Sequence, residues 1–130
     1  MAKTKIVALV GEAAVRLAQK PEAGRDTVAM AVRYLLQVLA ENAPGNTLEV
    51  RIPPFGAVQC VEGPAHTRGT PPNVVETDAA TWLQLATGSL DWPTAVAQGS
   101  VSASGQRADL TALLPVDWQR SPAPSATMEQ

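Results

Sequence analysis

The sequence predicts an α+β domain, on three observations. Apolar residues fall at helical spacing as far as Asn42, and from Thr47 they alternate. Beyond Thr77, two short apolar runs each start at an aspartate and stop at a glycine.

In the first stretch, Ile6, Val10, Ala13, Ala14 and Leu17 share one helical face between Thr4 and Gln19, and Lys20-Pro21 ends it. A second helix follows, with Asp26 or Thr27 as its expected N-cap and Val28, Val32, Leu35, Leu36 and Leu39 as its apolar stripe. Arg33, Gln37 and Glu41 are expected to face outward. Asn42-Ala43-Pro44-Gly45 is a stop.

The period then changes to two. Leu48, Val50 and Ile52 alternate with Thr47, Glu49 and Arg51, as in a half-buried strand. Pro53-Pro54 cannot extend that ladder, because neither residue has an N–H to donate. Phe55 to Val61 reads as a second strand with Val58 and Cys60 on one face. Glu62 to Pro72 holds three prolines and two glycines and is expected to be a loop. Asn73 to Thr77 reads as a third strand. Asp78 is placed to cap a helix ending at Gly88, and Asp91 a shorter one, Trp92 to Gln98, ending at Gly99. Ser100 to Ser104 reads as a fourth strand, and Asp109 as the cap of a last turn carrying Leu110, Leu113 and Leu114. From Gln119 onward Ser, Pro and Ala dominate, so a domain over 1–118 and a disordered tail over 119–130 are expected.

The composition limits function. With 130 residues, one domain with its own core is expected, and 45% apolar residues supply the material. Only 4% are aromatic, so that core must be largely aliphatic. The formal net charge is −2 and no block of Lys and Arg stands out, so neither nucleic acid nor stable anchoring at a membrane is expected. The single cysteine, Cys60, excludes an internal disulfide and favours a reducing, cytoplasmic setting. The apolar run after Lys5 is broken by Glu12 and Arg16, too early for a signal peptide or a membrane span.

Candidate catalytic and metal groups are few. His66 and Cys60 are the only histidine and cysteine, short of the three or four ligands a zinc site needs, so no metal and no cofactor is expected. Cys60 falls in a strand, where cysteine behaves as a small hydrophobe rather than a thiolate. Gly63 to Asn73 is the most function-like loop, with His66 and Arg68 able to meet a carboxylate or phosphate. Trp82 and Trp92 on adjacent short helices read equally as packed core or as the wall of an apolar pocket.

The runs Asp78–Gly88, Asp91–Gly99 and Val101–Gly105, with the leucines of 110–114, resemble the C-terminal half of the sterol carrier protein family. The wider chain, including Pro53-Pro54-Phe55-Gly56, is similar to a small bacterial branch of that family. The resemblance implies a small twisted, mostly antiparallel sheet with helices packed on one face and an apolar tunnel between them. It implies a non-enzymatic carrier of a lipid, fatty acyl or sterol-like ligand. Leu48, Val50, Val58 and Val74 would then form the tunnel floor. Trp82, Leu83, Ala86, Trp92 and Val96 would form its wall, and Leu110, Leu113, Leu114 and Trp118 its lid, with His66 and Arg68 at the mouth. Two rival readings remain. One is an interaction or regulatory domain with a filled core and an exposed apolar patch where the N-terminal helices pack, used for self-association as a homodimer or for a partner. The other is an enzyme centred on His66, Arg68 and Cys60.

Overall fold

A computed structural model describes residues 4–63 and 73–120. The chain runs α1 (Ala8–Ala18), α2 (Arg25–Asn42), β1 (Leu48–Ile52), β2 (Gly56–Cys60), β3 (Asn73–Thr77), α3 (Ala79–Thr87), α4 (Trp92–Ala97), β4 (Val101–Ser104) and a closing 3₁₀ turn, Thr111–Leu113. The four strands form one sheet in the order β2-β1-β3-β4. Its outer pairings are antiparallel, whereas β1 and β3 at its centre are parallel. The sheet is thus mixed, and the expectation of a mostly antiparallel one holds for two of its three pairings.

Register decides which side chains meet, because the side-chain period of a strand is two. Val50 pairs with Val58 and with Val75, which puts all three on the face toward the helices. Leu48, Val50, Ile52 and Val75 are fully buried there. Val74 pairs with Glu49 and Ser104 and belongs to the opposite, polar face. Its placement on the tunnel floor is therefore corrected: one step along the strand reverses the side a residue faces.

Helix α2 packs against α1 on one flank and against β2 and α3 on the other. It buries Ala31, Val32, Tyr34, Leu35, Leu36, Val38 and Leu39, more than the single stripe expected. Its N-cap is Gly24, without a side-chain bond, and not Asp26 or Thr27. Asp26 sits instead in the first turn, where a carboxylate favours the positive end of the helix.

Helix α1 departs from expectation in two ways. It begins at Ala8, because Thr4–Val7 is not helical. It also buries Gly11, Glu12, Ala14, Val15 and Ala18, while Leu9, Val10 and Leu17 are exposed. Small residues let it approach α2 closely: a Cβ at Gly11 would overlap the Tyr34 ring. Buried Glu12 accepts the Arg120 N–H at 2.9 Å, and the Arg120 guanidinium reaches Glu41 and Asn42. Arg120, assigned from the sequence to the tail, thus fastens the chain back onto α1 and α2.

The short helices follow their capping residues. Asp78 accepts the Thr81 N–H at 2.7 Å, Asp91 the Thr94 N–H at 2.8 Å and Asp109 the Thr111 N–H at 2.7 Å. Gly88 closes α3 at φ +92°, a left-handed conformation that glycine adopts without cost. The chain after the 3₁₀ turn is held to α3 by the Val116 N–H on the Ala86 carbonyl, 2.9 Å. At the far end of the sheet, Val61 has φ +70°, a region β-branched residues rarely enter. Backbone bonds to Ala43 and Thr47 hold it there.

Candidate functional site

Most residues expected to line a tunnel form the packed core. Leu48, Val50, Trp82, Leu83, Ala86, Trp92 and Leu110 belong to one buried cluster with the inner face of α2. Trp82 is fully buried and its indole N–H points at the Val32 carbonyl, 3.4 Å away. Leu113, Leu114 and Trp118 are half-buried against this cluster. Trp92 and Leu114 border a small notch of about 140 Å³ beside Pro93 and Pro115. Val96 is 48% exposed and does not join the wall; a helix of six residues turns only part of its surface inward. His66 and Arg68 lie outside the described residues.

A larger space opens beside the core, at the edge strand. A cleft of about 530 Å³ lies between α2, β2 and the N-terminal segment, within the size range of small-molecule sites. Its apolar lining is Ile6, Leu36, Ala40, Phe55, Ala57 and Val58. Of the expected floor residues, Val58 is the one that lines it. Each wall has a local cause. Val58 points inward because its register partner is Val50. Phe55 is brought round by the tight Pro53-Pro54 connection, where its N–H donates to the Ile52 carbonyl at 2.8 Å.

The third wall is Thr4–Ile6, whose backbone is held by one side chain. The Ile6 N–H donates to Gln37 Oε1 and Gln37 Nε2 donates to the Ile6 carbonyl, each at 2.9 Å. A side-chain amide thereby pairs with a backbone peptide as a neighbouring strand would. Gln37, expected to face outward, was missed because a glutamine within a helical pattern carries no mark of a backbone partner 31 residues away. The rim is charged. Lys5 pairs with Glu41 at 3.1 Å, and Arg33 Nε donates to the Phe55 carbonyl at 3.0 Å. The Arg25 guanidinium stands 5.0 Å from the centre of the Phe55 ring. Phe55 is thus gripped by two arginines at one end of the cleft.

Two polar candidates are accounted for by structure. Asn73 is buried, donates to the Thr47 carbonyl at 3.0 Å and accepts the Arg107 N–H at 2.8 Å. It joins the start of β1 and β3 to the segment after β4. Cys60 is fully buried, and burial pushes its thiol up to about 11. At neutral pH that sulfur is a protonated, solvent-shielded thiol, the opposite of what a nucleophile needs.

Among the described residues, no helix is long and apolar enough to cross a membrane. No curated protein matches the chain. A family model described as bacterial SCP ortholog matches residues 24–116, from the start of α2 to the segment after the 3₁₀ turn. That span holds the whole sheet, α2 to α4 and two of the three walls of the cleft. The chain belongs to this bacterial sterol-carrier-like family.

Proposed function

We propose that the protein binds a lipid or similar apolar ligand in the cleft between α2 and β2, carrying it without chemical change. The cleft itself supports this most directly: about 530 Å³ with an apolar lining, next to a core whose large side chains are already packed. A carrier family gives the same direction. Burial of an alkyl chain supplies about 0.8 kcal/mol per methylene before ordering costs are met. The apolar floor of Leu36, Ala40 and Val58 suits such a chain. The rim of Lys5, Arg33 and Glu41 suits a polar end, the role the sequence reading assigned to His66 and Arg68. Leu48, Val50, Trp82 and the other buried residues expected to line a tunnel would act in this reading as the core that supports the site.

The test combines native mass spectrometry of the purified chain with titration of an environment-sensitive fatty-acid probe. A saturable probe signal is expected, and Ala40→Phe, which fills the cleft from the α2 side, should weaken it at least about tenfold, or about 1.4 kcal/mol. Absence of co-purified lipid together with no saturable binding across chain lengths would sink the reading. So would full binding by a folded Ala40→Phe variant.

A further inference from the structure

The outer face of α1 is the most apolar exposed surface among the described residues. Val7, Leu9, Val10 and Leu17 are 50–66% exposed, and Val96, at 48%, is the one other exposed large hydrophobic residue among the described residues. Leu9, Val10, Ala13 and Leu17 form a stripe that lines a shallow groove with Met30 of α2. A stripe of this kind, set on a structured helix pair, marks an interaction surface. Helix α1 also precedes the matched span, which begins at residue 24, while Asp26 and Met30 on the other side of the groove lie within it. The residues of this face are separate from those that line the cleft.

Charge selects the occupant. At about 100° per residue, Arg16 lies about 60° around α1 from Ala13, on the side away from Val10. Val10 and Ala14 turn toward α2, where Asp26 lines the far wall of the groove. One flank of the stripe is thus basic and the other acidic. Arg16 and Asp26 are both exposed, and neither forms an ion pair among the described residues. A two-fold axis along the stripe brings the basic flank of one chain onto the acidic flank of another, twice, with the apolar residues sealed between. This is the self-complementarity an isologous contact requires.

We infer that the α1–α2 face is a homodimer interface. Each chain seats its Leu9–Leu17 stripe in the α1–α2 groove of a second copy, and Arg16 of each meets Asp26 of the other. Sedimentation equilibrium on the full chain tests it. The wild-type protein at about 100 μM should have twice the 13.6 kDa chain mass, since a micromolar Kd is saturated there. Leu9→Glu and Leu17→Lys each place a charge where it favours α1 itself, so the circular dichroism spectrum should be retained. Each should shift the dimer Kd upward at least tenfold, to about 1.4 kcal/mol or more. Arg16→Asp and Asp26→Arg should each weaken the dimer, and the two together should restore it. A wild-type chain that stays monomeric overturns the inference, whether or not it binds anionic vesicles. A dimer unaffected by Leu9→Glu and Leu17→Lys overturns it too, as does a double charge exchange that fails to rescue.

Discussion

At the scale of single residues, the contact between Gly11 and Tyr34 sets how closely α1 approaches α2. Alanine in a helix interior ordinarily gains about 1 kcal/mol over glycine. Here the added methyl would overlap a ring that is itself 2% exposed and hemmed in by the core, and overpacking costs about 1–3 kcal/mol. Gly11→Ala should therefore lower stability, by up to about 2 kcal/mol net of the propensity gain, in urea denaturation. Gly24→Ala, with open space around its Cβ, trades a favoured N-cap for a stiffer unfolded chain, two opposed effects of about 1 kcal/mol or less, and should be closer to neutral than Gly11→Ala. Cys60 gives a second prediction, on pH. Its thiol is raised by burial from 9.0 to about 11, so above pH 9 the unfolded chain ionises while the folded chain does not. Its contribution is complete below pH 9 and is lost between 9 and 11. Tyr34, also raised, chiefly by burial and then by Glu12, adds in the same direction at higher pH. Urea midpoints measured from pH 8 to 11 should fall, and Cys60→Ala should flatten but not abolish the slope.

At the scale of elements, what was legible depended on whether a local signal had a competitor. Asp78 and Asp91 cap α3 and α4 where the sequence placed them, because an aspartate three residues before an unpaired N–H has no other local use. Strand β1 was read correctly because Leu48, Val50 and Ile52 alternate with polar residues and leave one face to bury. Helix α1 was not, since ALVGEAAVRLA is apolar around most of its circumference and periodicity alone cannot choose a face. Close approach to Tyr34 chose: Gly11 fits against the ring, Ala14, Val15 and Ala18 are buried on the same side, and Leu9, Val10 and Leu17 are left to solvent. The cleft was illegible for a related reason, as one wall depends on Gln37 reaching Ile6 across 31 residues. Replacing Gln37 by Met keeps the stem and removes both bonds to Ile6. The expected result is a loss of about 1–2 kcal/mol and much faster hydrogen exchange at the Ile6 amide, with the amides of β1 unchanged. Equal protection of Ile6 in both proteins would show that the segment is held by other contacts.

At the scale of the whole molecule, the resemblance read from glycine and aspartate spacing identified the family, while the largest open space lies in a different layer from the tunnel it implied. Trp82, Leu83 and Ala86 are buried, as tunnel-wall residues would be, but they sit in one packed cluster with the inner face of α2 and Leu110. The open volume lies outside that layer, where β2, the edge strand among the described residues, has α2 on its inner face. A ligand there would bridge α2, β2 and the N-terminal segment, three parts that unfolding separates. Binding must then stabilise the folded chain by RT ln(1 + [L]/Kd), about 2.7 kcal/mol at one hundred times Kd. For a domain of this size that is a rise of roughly 10 °C in Tm. Differential scanning calorimetry with a saturating fatty acid should show it. The rise should shrink in Ala40→Phe and persist in Leu17→Lys, because the cleft and the α1 stripe are separate surfaces. A shift that vanished in Leu17→Lys and survived in Ala40→Phe would move the ligand from the cleft to the outer face of α1.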